Sequence, residues 1–235
     1  MKQRDLWFLQ GLADDVKDVN ASLNYINFRT DENTLYCEAS NGICFSYITK
    51  VIHPYQEMSG LYEFTGNSSL TKVILQDTDT LINESGEVVG KKVEGVFPRL
   101  NLGKKGEYRA TFDSKELFDT LKYLLSRFKN KDKLNYKVKF TRCRDKWQII
   151  GYYKGVPEFK QELACFIGDT IIDDNFNFTL NAHTLRHIMK WHEITDVDFY
   201  FQNISGTVKQ NIYILNPSQP ERVTVIRPIY AREKW

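Results

Sequence analysis

Between residues 108 and 229 one pattern is written twice, and no other feature restricts the possible folds as much. Counting from Ser114 in one copy and Asn181 in the other, apolar side chains fall at the same offsets: Phe118 with Leu185, Leu121 with Ile188, Leu124 with Trp191. Each helical stretch follows a short strand, 108–112 or 176–180, and each is followed by an alternating strand, a turn and two further strands. Two such strand-helix-strand-strand-strand units can share one core, with helices on one side and sheet on the other.

The helix at 114–128 is the clearest. Asp113 with Glu116 fits a capping box, and Leu117, Phe118, Leu121, Leu124, Leu125 and Phe128 form its apolar face. A shorter helix follows Asn181, carrying Leu185, Ile188 and Met189. In the first half, Leu6, Leu9, Leu12 and Val16 predict a helix over 5–19, and a weaker pattern predicts another over 67–75. The strands expected there are 23–28, 34–38, 44–51 and 86–96. The stretch 98–107, with Pro98, Gly103 and Gly106 and no long apolar run, reads as a linker, which divides the chain into domains 1–97 and 108–235.

Charge is distributed unevenly. Residues 1–105 carry 11 Lys and Arg against 14 Asp and Glu, whereas residues 106–235 carry 21 against 16. Ten basic residues lie between Lys122 and Lys146, opposed only by Asp132 and Asp145. Such a run reads either as a solvated surface or as the footprint of a polyanion. The four cysteines, Cys37, Cys44, Cys143 and Cys165, form no C-x-x-C pair and read as buried thiols. Met1, Lys2, Gln3, Arg4 and Asp5 lead into a short apolar stretch broken by charge. We therefore expect no signal peptide, no membrane span, and a cytoplasmic or nuclear location.

Three stretches carry a resemblance. The first is 176–189, Phe-Asn-Phe-Thr-Leu-Asn-Ala-His-Thr-Leu-Arg-His-Ile-Met. The second is the ending Val225, Ile226, Arg227, Pro228, Ile229, Tyr230. The third is the helix from Leu6 to Val16 followed by 35–47, Leu-Tyr-Cys-Glu-Ala-Ser-Asn-Gly-Ile-Cys-Phe-Ser-Tyr. Together they resemble the DNA sliding clamps, the processivity rings of replicative polymerases. The resemblance implies an α+β DNA-clamp fold: two similar domains, each of two strand-helix-strand-strand-strand units, with helices lining a ring and sheets outside. Rings in that family contain six domains. Bacterial-type chains supply three each and dimerise, while the proliferating cell nuclear antigen family and the T4-like phages supply two each and trimerise. A two-domain chain thus implies a homotrimer. The implied partners are double-stranded DNA held without regard to sequence, a DNA polymerase, a clamp loader and the chain itself, with no membrane, no cofactor and no catalytic activity.

On this reading Lys17, Lys72, Lys122, Arg127, Lys129, Arg186 and Lys190 would meet DNA phosphates from the helices, while strand lysines such as Lys137 and Lys139 would matter less. A pocket for partner peptides would be built from Ile43, Leu100, Leu102, Pro228, Ile229 and Tyr230, although Ile43 reads first as strand core; Trp235 reads either as a docking anchor or as a frayed end. Asp14, Asp15 and Asp18 beside Lys17 give the first helix a mixed field.

Three other readings compete. A metalloenzyme could use His183 and His187, four apart on a helix, but Thr184 stands where H-E-x-x-H needs glutamate, and no nucleophile or phosphate-loop motif is present. A single-strand-binding protein could stack bases on some of the 13 tyrosines and 15 phenylalanines. A clamp-like adaptor or decoy that never closes a ring would have the same sequence pattern.

Overall fold

The computed structural model describes residues 1–14, 23–52, 57–127, 136–164, 166–171, 173–192 and 195–229. It divides into two compact units: Met1–Asn101 with Glu221–Val223, and Leu102–Pro220 with Thr224–Trp235.

In the second unit, β8 (Tyr108–Asp113) leads into α2 (Ser114–Ser126), then β9 (Tyr136–Cys143), β10 (Lys146–Tyr153), β11 (Val156–Glu162) and a short β12 (Phe166–Asp169). The second copy follows as β13 (Asn177–Asn181), α3 (Ala182–His192), β14 (Asp196–Phe201), β15 (Ile212–Asn216) and β16 (Gln219–Ile226). The strand order is β11-β10-β9-β13 in one sheet, and β12-β8-β14-β15 with β16 beyond in the other. The first strand of each copy therefore pairs with the second strand of the other: β8 runs antiparallel to β14, and β13 antiparallel to β9. The two copies are interlocked, and β12 is an addition to the pattern.

Both helices start in the same way. The last residue of the preceding strand is the N-cap: the Asp113 carboxylate accepts the Glu116 N–H at 2.8 Å, and the Asn181 side-chain oxygen accepts the Thr184 N–H at 3.0 Å. The helices pack against each other. The Ser114 hydroxyl donates to the His192 carbonyl, so the start of α2 meets the end of α3. Leu117, Leu121 and Leu124 of α2 and Leu185, Ile188 and Met189 of α3 are fully buried. Leu124 lies over Gly151 of β10, where a Cβ would stand 2.8 Å from the leucine. Beneath the helices the core is aromatic: Phe112, Phe140, Trp147, Phe176, Phe178, Phe199 and Phe201 are all without solvent exposure.

The first unit comprises α1 (Gln3–Asp14), β1 (Ile26–Asp31), β2 (Thr34–Ser40), β3 (Cys44–Val51), β4 (Ser59–Phe64), β5 (Val73–Leu75), β6 (Thr80–Asn83) and β7 (Val88–Val93), with strand order β3-β2-β1-β4-β7-β6-β5. Here β4 pairs with β1 as β13 pairs with β9, and an isolated bridge joins Lys2 to Lys72 just ahead of β5. Cys37 and Cys44 are buried, Cys143 is half-buried, and Cys165 lies outside the described residues.

The helix expected over 67–75 does not form, so the first unit has one helix among its described residues where the sequence pattern called for two. Residues 73–75 are β5. The stretch before them folds back on the start of α1: the Thr71 carbonyl accepts the Gln3 N–H at 2.8 Å, and the Ser69 carbonyl accepts the Arg4 N–H at 2.9 Å. The Asn67 side chain accepts the Ser69 N–H at 2.9 Å. Asn67, Ser68 and Ser69 compete locally for backbone groups, and Thr71, Val73 and Ile74 are β-branched. Local chemistry therefore favours turn and strand over helix. Strands β4, β5 and β6 were not expected, because each is only three to six residues long and too short for its alternation to stand out.

Candidate nucleic-acid interface

The side of α2 and α3 turned away from the core carries the basic residues. On α2 it presents Lys115, Glu116, Asp119, Lys122 and Tyr123, with Arg127 at the C-cap. Lys115 is bound by Asp119 one turn on, at 3.1 Å, and the hydrogen bond to that carboxylate raises the lysine pKa. Lys122, a further turn along, forms no ion pair with any described residue. Arg127 donates to the Tyr123 hydroxyl and lies over its ring at 4.7 Å. On α3 the same side presents His183, Arg186, His187 and Lys190, and the helix contains no acidic residue. Lys190 also complements the negative end of the helix dipole. The second unit thus brings Lys122, Arg127, Arg186 and Lys190 into one pair of packed helices.

The first unit offers less. Lys72 is exposed beside the Lys2 bridge, not on a helix. Lys17 and Lys129 lie outside the described residues. The outward side of α1 holds Arg4, Trp7, Gly11 and Asp14. At the start of α1, Lys2 is exposed and Arg4 half-buried.

Of the residues expected at a peptide pocket, Ile43 sits half-buried in the β2–β3 turn, where the Asn41 side chain accepts the Ile43 and Cys44 N–H groups at 3.1 and 2.7 Å. Leu100 is 37% exposed. In the second unit Pro228 is buried, and the half-buried Ile229 donates its N–H to the Thr179 carbonyl of β13 at 2.8 Å. Tyr230 and Trp235 lie outside the described residues.

Sequence reasoning gave no sign of the anchoring around the linker. Phe97 packs on Phe45 of β3 with ring centroids 6.4 Å apart. Further on, residues 102–105 are strapped to β14, β15 and their loop. Asn211 donates to the Leu102 carbonyl at 3.0 Å, Tyr213 to Gly103 at 2.8 Å and Gln202 to Lys104 at 2.6 Å, and the Lys105 ammonium lies 4.2 Å from the centre of the Tyr200 ring. Gly106 is required next to the strap, since a Cβ there would collide with the Phe201 carbonyl. Only a side-chain donor facing outward from each strand position marks this strap, and such donors are common on any sheet. Replacing Tyr213 by phenylalanine together with Asn211 by alanine is expected to free the strap, raising the rate of limited proteolysis near Gly103 while leaving the circular dichroism spectrum unchanged.

One alternative loses ground here. The phenylalanines of the second unit named above, with Trp147, are core residues with no face free for bases. No group of His, Cys, Asp and Glu able to hold a metal ion occurs among the described residues, and no described helix is long and apolar enough to cross a membrane.

Solved structures supply the comparison. The chain matches the beta subunit of the DNA polymerase of Streptococcus pyogenes at TM-score 0.70 and 12% identity, over 98% of this chain and 65% of that one. It matches the DNA polymerase sliding clamp of Bacillus subtilis at 0.70 and 12%, over 98% and 63%. The sliding clamp of Pseudomonas aeruginosa gives 0.68 and 14%, over 98% and 66%. No family model matches the sequence, and no curated protein does. The protein therefore has the α+β fold of the DNA sliding clamps, and spans about two thirds of the length of the solved clamps it resembles.

Proposed function

We propose that this protein is a sliding clamp, a non-enzymatic ring that encircles double-stranded DNA and tethers a replicative polymerase in the cytoplasm of its cell. The observation that carries the reading is the acid-free basic side of α3, joined by Lys122 and Arg127 of α2, on a sliding-clamp fold that extends along almost the whole chain. Lysine and arginine on helix surfaces attract phosphate without reading bases, which permits sliding.

Two units per chain favour a ring of three chains. In the second unit β11 is an open sheet edge, and around it Val156 is 59% and Tyr123 48% exposed, with Phe159 packed edge-on against Tyr123 at 6.1 Å. An open edge beside apolar side chains suits pairing with a strand of a second copy. On the same proposal, Leu102, Pro228 and Ile229 contribute to a site for apolar anchors of polymerase and loader peptides.

Sedimentation equilibrium is expected to give three times the 27.6 kDa chain mass. Protein loaded on a nicked circular plasmid is expected to co-elute with the circle and to be released when the plasmid is linearised. Exchanging Lys122 and Arg186 for glutamate should abolish retention at moderate salt without changing the mass. The lesser Lys122→Gln change should lower the slope of log affinity against log salt by about 1 per site removed. A monomer at micromolar concentration, or tight binding to linear oligonucleotides without loading, would count against the ring.

A further inference from the structure

The sheet β11-β10-β9-β13 has a second surface, directed away from the core, whose chemistry the clamp reading does not use. Register places Lys160 of β11 opposite Ile150 of β10, Ile150 opposite Lys139 of β9, and Lys139 opposite Thr179 of β13. The core partners on either side, Ile149, Val138 and Phe140, are fully buried, so Lys160, Ile150 and Lys139 point outward, while Thr179 at the end of the row is buried. In the adjoining row Tyr152 stands opposite Lys137. The acids on this surface are Glu162, already bound to Lys146 at 2.9 Å, and Glu158. Neither Lys139 nor Lys160 forms an ion pair with a described residue. An apolar side chain thus sits between two unneutralised lysines whose Cα atoms lie about 10 Å apart, two strand spacings.

The fold does not demand this arrangement, because the molecule contains its own comparison. In the first unit the corresponding sheet is β3-β2-β1-β4, and its outward side is neutralised. Arg29 contacts Glu38 at 2.8 Å and lies over the Tyr36 ring at 3.8 Å, Asn27 donates to Glu38 at 2.8 Å, and Tyr36, Tyr47 and Phe45 pack ring against ring. The same architectural position is closed on itself in one unit and left with free charge in the other.

We infer that the outward side of β11-β10-β9 is a docking surface for a short acidic segment of a partner protein, in which two carboxylates flank one apolar residue. The carboxylates reach Lys139 and Lys160, and the apolar side chain covers Ile150 beside Tyr152. A nucleic-acid strand fits less well, because Tyr152 is the single aromatic ring in the two rows and successive bases need successive stacking partners. The inference is independent of ring formation.

The test is fluorescence anisotropy at low salt with a labelled peptide alternating glutamate and leucine, a glutamine-for-glutamate version of it, and labelled oligo(dT), on the full chain. The glutamate peptide is expected to bind and the glutamine peptide not to bind. The Lys139→Gln/Lys160→Gln variant should weaken binding about fivefold to tenfold, as the loss of two solvent-exposed charge contacts requires, and Ile150→Ser should weaken it about threefold. Lys91→Gln/Lys92→Gln, which removes the same charge from the first unit, should leave the affinity unchanged. The inference is overturned if the wild-type chain does not bind the glutamate peptide, if the first-unit variant weakens it equally, or if oligo(dT) is the probe whose binding depends on Lys139 and Lys160. Unchanged thermal melting of each variant shows that affinity, not folding, is being read.

Discussion

Replacing Phe178 with alanine is expected to destabilise the second unit by about 3 to 5 kcal/mol, measured by denaturant unfolding followed through tryptophan fluorescence. Phe178 has no exposed surface, stacks on Phe140 with centroids 4.7 Å apart, and touches Trp147, Phe199 and Phe201 at 5.8, 6.0 and 5.2 Å. Those neighbours come from β9, β10 and β14, which belong to both sheets and both copies of the repeat. Rigid rings anchored on different strands cannot collapse together to refill the lost volume, so the cavity penalty is retained in full. Phe178→Leu should recover much of the loss. If the alanine variant loses less than about 1 kcal/mol, the core is looser than the ring contacts show.

The second large effect is electrostatic. Asp5 of α1 and Arg222 of β16 meet at 2.5 Å with side chains only 9% and 8% exposed, 217 residues apart in sequence. Burial pulls the guanidinium pKa down, and the Asp5 carboxylate pulls it back up. Asp5→Ala removes the carboxylate that offsets burial of the guanidinium, so we expect a loss of about 3 to 5 kcal/mol. Replacing both partners by apolar side chains, Asp5→Leu with Arg222→Met, is expected to cost less than the single change, because a stranded buried charge is more destabilising than the loss of the attraction itself. A double variant less stable than Asp5→Ala would overturn that account. Residues 221–223 cluster with Met1–Asn101, so the pair serves the first unit although Arg222 lies near the end of the chain.

The second unit could largely be read from the sequence because its local signals agree with its tertiary fold. Asp113 and Asn181 both cap helices whose leucines and isoleucines face the core. The strands 136–140, 147–153 and 197–201 alternate because one side of each packs on those helices and rings. In the first unit the agreement failed. The stretch 67–75 had helix-like spacing, but its asparagine, serines and β-branched residues decided otherwise once the Gln3 and Arg4 N–H groups offered partners. The candidate site divides in the same way. Lys122, Arg127, Arg186 and Lys190 follow from helix periodicity, whereas the strap at 102–105 and the outward lysine row depend on which strands become neighbours. Pairing of that kind leaves no mark in a window of adjacent residues.

The exchange of first strands between the two copies in the second unit has a kinetic consequence. Because β8 has β14 on one side and only the short β12 of its own copy on the other, and β13 pairs with β9 of the other copy, neither copy holds its finished sheet when it is the sole part of the unit yet made. Completing both sheets brings together segments 36 to 44 residues apart at β9 and β13 and more than eighty residues apart at β8 and β14. Folding of this unit should therefore be slow for its size, in the millisecond-to-second range typical of non-local strand pairing. A ribosome would have to finish β14 before β8 gained its second neighbour. Although the chemistry is written as a tandem duplication, the two halves ripen together.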